Sequence, residues 1–471
     1  MLHVSTRGEA SPLAFSDALL AGLARDGGLY VPKAWPGLTA DEIAGFAGQS
    51  YAEVAERIIG ALADGDIEGK ALGEMIREAY AGFRHPAVCP LTQIGDNLFV
   101  LELFHGPTLA FKDVAMQLLG RLMNHVLTLR GERATIVGAT SGDTGGAAID
   151  AFKGLERVDM FILYPQGRVS DVQRRQMTTV DAPNVHAIAV EGTFDDCQNL
   201  VKAMFNHHAF RDELGLSGVN SINWARIAAQ VVYYFTAAVS LGAPARKVSF
   251  AVPTGNFGDV LAGWVAKRMG LPIERLMIGT NSNDILTRTL QSGAYEMRGV
   301  SATTSPSMDI QISSNFERLL FEVHGRDGAT VRRLMQSLQQ SGRFEIAPEP
   351  LARIRAEFDA TAVSEAETAA EIGQTWREAG YLLDPHSAIG VAAARRGLKL
   401  DPATPVVVLG TAHPAKFPVA VEAASGVVPT LPAHLADLME REERVTLLPN
   451  DQSQIESFIR QNARTVRGAA A

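Results

Sequence analysis

Cysteine is almost missing from this sequence: there are two in 471 residues, Cys89 and Cys197, and neither has a CxxC or metal-ligand neighbour. Isolated thiols of this kind read as buried and reduced, so disulfide stapling and dithiol redox chemistry drop out. A basic excess is missing too. With 43 Lys and Arg against 52 Asp and Glu the formal charge is -9, the wrong sign for a protein that tracks a nucleic-acid backbone. No run approaches the roughly 18 apolar residues of a membrane-spanning helix. The opening MLHVSTRGEASPLAF has neither a basic start nor an apolar signal core, so a cytoplasmic chain with no membrane or nucleic-acid partner is expected. The 11 His are scattered, and His207 and His208 would point to different sides of a helix, so no metal site is expected. Internal repeats and low-complexity tracts are absent as well.

What is present is a chain too long for one ordinary core, punctuated by Gly and Pro. Residues 1–90 alternate amphipathic helical patterns such as SYAEVAERIIGALAD with short turns and read as a small helical domain. From 91 to about 430, β-rich runs (NLFVLELF, ATIVGAT, DMFILYP, NVHAIAVE, KVSFAVPT, RLMIGTN, PVVVLGTA) alternate with helices. That alternation predicts an α/β fold of parallel sheets with helices on both faces. Helical patterns dominate about 284–400 and read as a helical insertion, and 431–471 reads as a C-terminal helical tail.

Two strand-to-helix loops carry anion-binding chemistry. In PTGNFGD, Gly255, Asn256, Phe257 and Gly258 precede an apolar helix, whose free N–H groups suit a phosphate. In ATSGDTG, the hydroxyls of Thr140, Ser141 and Thr144 and the local N–H groups suit a carboxylate. Taken singly, each loop is equally a glycine turn with an N-cap. In HGPTLAFKDVAMQLL, Lys112 follows Phe111 between two apolar runs. Desolvation there lowers a lysine's proton affinity and frees a nucleophilic amine, although a lysine snorkelling from a helix start fits the same stretch. Arg226 in SINWARI and Lys416 in GTAHPAKF are further cations, suited to a phosphate or to a purely structural pairing.

The ordered set HGPTLAFKD, ATSGDTG, PTGNFGD, SINWAR, SSNFER and GTAHPAKFP, preceded by STRG and GLARDGGLYVP, resembles the threonine synthase family of fold-type II pyridoxal phosphate enzymes, in its shorter microbial form. The likeness covers nearly the whole chain and thins in the tail. It implies pyridoxal 5'-phosphate as cofactor and Lys112 as the lysine that bonds it, with Phe111 beside it. It further implies that Gly255 to Gly258 hold its phosphate, that Thr411 meets its pyridine nitrogen and that Asp143 lies near its ring oxygen. Many relatives carry Asn at that last position, and a carboxylate there requires a proton or a nearby cation.

The activity implied is conversion of O-phospho-L-homoserine and water to L-threonine and phosphate, a carbon–oxygen lyase reaction. Thr140, Ser141 and Thr144 would face the substrate carboxylate, and Arg226 and Lys416 its phosphate. A related phospho-lyase that releases 2-oxobutyrate, and a non-catalytic binder of phosphorylated ligands, fit the same residues. Oligomeric state leaves no mark in the sequence.

Overall fold

The computed structural model describes residues 1–464. Two largely parallel sheets organise it. In chain order, β1 (Leu91–Gly95) and β2 (Leu98–Glu102) begin the larger sheet, and β3 (Ala134–Ala139), β4 (Val158–Pro165), β5 (Val185–Glu191) and β6 (Leu216–Ser217) belong to the smaller one. The chain then returns to the larger sheet with β7 (Val248–Pro253), β8 (Ile273–Thr280), β9 (Phe358–Ala362) and β10 (Val406–Gly410), and closes with β11 (Thr446–Pro449) in the smaller. The six-stranded order is β9-β8-β7-β10-β2-β1, parallel except for the β1–β2 hairpin. The five-stranded order is β11-β5-β4-β3-β6, parallel throughout. Central strands such as β4, β7 and β10 are buried along their whole length, which is why they read as unbroken apolar runs.

The first 90 residues supply helices Phe15–Ala21, Ala40–Ala44, Tyr51–Ala63 and Gly69–Tyr80, and a short antiparallel pair, His3–Ser5 with Tyr30–Pro32. Their apolar residues, among them Phe15, Ile58 and Ile76, belong to the same continuous core as Leu119, Phe250 and Leu409 of the sheet region. Two expectations need correcting. The 284–400 stretch is not purely helical, because Phe358–Ala362 leaves it to pair with β8 as an edge strand. The tail is not purely helical either. LPAHLADLMERE forms only the short 3-10 turn Ala433–Leu435, Thr446–Pro449 adds an edge strand, and helix Gln452–Asn462 follows. Both strands are short, FDATA interrupted by polar residues and TLLP ended by a proline, so their sequence resembles connecting chain; a sheet edge already in place recruits them.

Helix Lys112–Arg130 is the element that positions the site. It ends at Gly131, whose φ of 68° closes the last turn in the left-handed region. It packs closely on helix Asp143–Phe152, and a Cβ at Gly120 would stand 2.7 Å from the Ala151 carbonyl oxygen, a backbone atom that cannot step aside. Gly120→Ala should therefore cost roughly 1–3 kcal/mol through overpacking. Gly69→Ala, where a Cβ meets nothing within 4 Å, should be neutral or stabilising by ~0.4–1 kcal/mol. Denaturant unfolding of the two variants checks this, and equal effects would refute the packing account.

Candidate active site

Strand ends from both sheets meet at one side chain. Lys112 opens its helix just after β2, yet its Nζ lies 3.6 Å from Oδ2 of Asp143, the residue that opens the helix after β3. Ser307 Oγ, on the short turn Pro306–Met308, stands 3.5 Å from the same nitrogen, and the Phe111 ring centroid 4.7 Å from it. The lysine is 8% exposed. Burial is the largest influence on the amine and draws its proton affinity below the ordinary lysine value; Asp143 opposes this, and the charges of Lys416 and Arg226 add to the lowering.

Asp143 has the cation that a carboxylate there requires. Lys416, fully buried just after β10, directs its Nζ to Asp143 Oδ1 at 3.1 Å, to the Thr108 carbonyl at 2.7 Å and to Gln176 Oε1 at 2.7 Å. Gln173 Nε2 donates a further hydrogen bond to Oδ1 at 2.9 Å. Burial alone would push this carboxyl up; Lys416, then Lys112 and His386, with the Gln173 amide, overcome it and hold the group far below the usual carboxylate range. All three Lys416 protons thus point at protein acceptors, which leaves none for the substrate phosphate it was expected to meet.

The loop before this helix is shaped by its own residues. Thr140 Oγ1 accepts from the N–H groups of Gly142 (3.0 Å) and Gly145 (2.9 Å), so it builds the loop, while Ser141 and Thr144 remain half-buried beside it. Gly142 is obligatory: its φ is 139°, and a Cβ would collide with the Gln173 side chain at 2.4 Å.

The second loop presents backbone. Among the described residues, the N–H groups of Gly255, Asn256, Phe257 and Gly258 have no protein acceptor, and they sit at the start of helix Gly258–Arg268. Phe257 holds φ at 62°, a left-handed conformation that costs a bulky residue about 1–3 kcal/mol. Its ring, packed against Phe316 (5.2 Å) and Phe358 (5.7 Å), offsets that strain and faces the core, so only its main chain serves the site. A Cβ at Gly255 would meet the Ser307 carbonyl oxygen at 2.8 Å. SSNFER braces the loop from behind, Ser313 Oγ donating to the Gly255 carbonyl (2.6 Å) and Asn315 Nδ2 to the Asn256 carbonyl (3.0 Å).

Two further groups fit a bound pyridine phosphate. Thr411 donates its N–H to Ser387 Oγ (3.0 Å) and receives Phe111 N–H on its carbonyl (2.8 Å), but its buried Oγ1 has no partner. Arg226 is 5% exposed and gives one hydrogen bond, to the Val219 carbonyl at 2.9 Å; no carboxylate among the described residues pairs with it, and burial draws its guanidinium down to about 10. A buried hydroxyl without a partner, a buried guanidinium without a carboxylate and a row of N–H donors without protein acceptors are the complement of a hydroxyl-binding nitrogen and an anion.

The fold brings Phe111, Asp143 and Lys416 to Lys112 or its carboxylate neighbour, Thr411 to the Phe111 backbone, and the charge of Arg226 within reach of Lys112, with the Gly255–Gly258 loop set against Ser307. Ser307, His386, Gln173 and Gln176 were missed. Ser307 N–H donates to His386 Nε2 (3.3 Å), and His386 Nδ1 faces Asp384 Oδ1 at 2.9 Å, a chain for which TSPSM and DPHSA carry no recognisable spacing. No cluster of three or more His, Cys, Asp or Glu able to hold a metal exists among the described residues, and no helix of theirs is long and apolar enough to cross a membrane.

Comparison with known proteins agrees with this geometry. A family model described as pyridoxal-phosphate dependent enzyme matches residues 87–412, and models for the threonine synthase N terminus and C-terminal part match 2–80 and 387–459. A threonine synthase from Pseudomonas aeruginosa is 53% identical over 463 residues, which is 98% of each chain. The crystal structure of PLP-bound threonine synthase from Brucella melitensis superimposes with a TM-score of 0.97 at 66% identity, over 98% of this chain and 100% of that one. Yeast threonine synthase gives 0.93 at 40% identity, over 98% of both chains. With full-length identity of this order and a site whose unpaired groups suit pyridoxal phosphate, the chain belongs to the threonine synthase family of pyridoxal-phosphate dependent enzymes.

Proposed function

We propose that this chain converts O-phospho-L-homoserine and water to L-threonine and phosphate. The observation that carries the reading is the surplus of buried positive charge: Lys112, Lys416 and Arg226 share a desolvated site with one ionised carboxylate, Asp143. Phosphate groups, one on the cofactor and one on the substrate, would draw on the positive charge that Asp143 leaves unbalanced.

The net chemistry removes phosphate from Cγ of the substrate and adds water at Cβ. When bound, pyridoxal phosphate supplies the electron sink that makes protons on the neighbouring carbons removable. The Gly255–Gly258 N–H row would hold its phosphate, Thr411 Oγ1 would meet its ring nitrogen, Phe111 would wall it and Lys112 Nζ would be its attachment point. Lys112 is also the proton carrier, because a desolvated amine on a flexible stem both accepts and returns protons along one face of the substrate. Ser141, Thr144 and the adjoining N–H groups hold the substrate carboxylate. Arg226 takes the substrate phosphate and Asp143 stays ionised throughout. The burial of all four charged groups keeps bulk water from the reacting carbons until one molecule is admitted for addition.

Purified protein supplied with phosphohomoserine should release threonine and phosphate in equal amounts; 2-oxobutyrate without threonine would replace this reading by the phospho-lyase. Lys112→Ala should remove the visible absorbance of the bound cofactor and slow turnover by ~10²–10⁴-fold, the usual worth of a positioned acid–base group. Arg226→Met, which deletes a charged hydrogen-bond donor worth about 1.5–3 kcal/mol, should raise KM for phosphohomoserine by ~10–100-fold and change kcat less. Loss of cofactor affinity with KM unchanged would instead assign Arg226 to the cofactor phosphate.

A further inference from the structure

We propose that Lys416 is a positioning residue whose fixed charge neutralises Asp143 and so keeps that carboxylate from trapping a proton on the Lys112 nitrogen. This rests on the reading that Lys112 bonds pyridoxal phosphate. The geometry is a row of three groups: Lys416 Nζ lies 3.1 Å from Asp143 Oδ1, and Lys112 Nζ lies 3.6 Å from Asp143 Oδ2, so two buried amines face opposite oxygens of one carboxylate. They differ in freedom. Lys416 is 0% exposed and also held at 2.7 Å by the Thr108 carbonyl and at 2.7 Å by Gln176 Oε1. Those anchors come from the Lys112 loop and from helix Asp171–Thr178, and Gln176 Nε2 closes the ring by donating to the same Thr108 carbonyl at 3.0 Å. Among the described residues, Lys112 Nζ has no hydrogen-bond or ionic partner closer than Ser307 Oγ at 3.5 Å and Asp143 Oδ2 at 3.6 Å, besides the face of Phe111.

A lone buried carboxylate beside Lys112 would hold that nitrogen protonated, since an opposite charge a few ångströms away in a desolvated site strongly favours the charged form. With Lys416 bound to the other oxygen, Asp143 keeps its negative charge as an orienting acceptor while the Lys416 charge offsets part of its pull on the Lys112 proton. The other charged groups do not replace it. Arg226 and Asp259 also act on Lys112, and His386 on Asp143, but none of them is in direct contact with the Asp143 carboxylate. Asp113 turns its carboxylate to Thr108, on the far side of the same loop.

The test is a pH titration of the bound cofactor's absorbance in the holoenzyme, which reports protonation at the Lys112 nitrogen independently of turnover. Lys416→Met should move the midpoint up by about one unit or more, a tenfold gain in proton affinity. Lys416→Arg should stay near wild type, and Asp143→Asn should move the midpoint down. The double variant Lys416→Met/Asp143→Asn should return toward wild type. An unchanged or lowered midpoint in Lys416→Met overturns the proposal. Should Lys416→Met fail to hold the cofactor, the double variant decides: restored binding supports charge neutralisation, and continued failure assigns Lys416 a packing role. A wild-type protein with no cofactor absorbance would instead remove the underlying reading of Lys112.

Discussion

Desolvation of like charges is the constraint on which this molecule is built. Lys112, Lys416 and Arg226 are each more than nine-tenths buried near one another, and a single carboxylate sits among them. Cations are taken out of water only when partners or function repay the cost. Lys416 has its partners in the protein, Lys112 shares one of them, and Arg226 has none but a carbonyl. The order is informative: the best-paired cation is structural in geometry, the half-paired one is the amine proposed to react, and the unpaired one is the cation proposed to take an anion from outside.

Holding these charges in place requires both sheets. Asp143 comes from the five-stranded sheet, and Lys112 and Lys416 follow strands of the six-stranded one, so the site exists only while the two are docked. The docking is reinforced far from the chemistry. Arg318, fully buried, donates to the Tyr30 carbonyl (2.9 Å), the Ile222 carbonyl (2.6 Å) and Asn315 Oδ1, joining the N-terminal segment, the SINWAR turn and the brace of the phosphate loop. Next to it, Glu317 accepts from Thr6 Oγ1 (2.7 Å) and Arg7 Nε (3.0 Å), which fastens STRG to the same helix. The N-terminal motif, silent in chemistry, thus contributes stiffness to the Gly255–Gly258 loop, proposed above to hold a phosphate.

How legible this was from residues alone follows from the range of each interaction. Strands buried on both faces announce themselves as apolar runs, and glycine-rich strand-to-helix loops as anion cradles, because both properties are local. Phe358–Ala362 and Thr446–Pro449 were invisible for the opposite reason, being strands only because β8 and β5 offer them an edge. LPAHLADLMERE carries a helical period, but its Leu435 and Leu438 are used to cover Leu109 and Val172 across a turn. The two cations of the motif set were legible as cations and not as roles. Lys416 meets Thr108 and Gln176 across 308 and 240 residues of sequence, a pairing no spacing encodes, and only those contacts separate it from Arg226.

Two other buried carboxyls, Asp113 and Asp259, show what burial does to an acid that no amine contacts. Burial pushes Asp113 up to about 7, against the two hydrogen bonds from Thr108, and pushes Asp259 up to about 7, against those from Tyr233 and Tyr234. Neutral donors alone do not restore an ordinary carboxylate at this depth; Asp143, equally buried, is held far lower because two amines face it. Among Asp113, Asp259 and Asp143, the direction each is pushed therefore follows whether an amine contacts the carboxylate. Thr411 follows the same logic. A carboxylate there would be a second anion with no cation to spare, since Lys416 is already saturated, whereas a hydroxyl, in the role proposed for it, would meet a ring nitrogen without altering the charge balance around Arg226 and the Gly255–Gly258 loop.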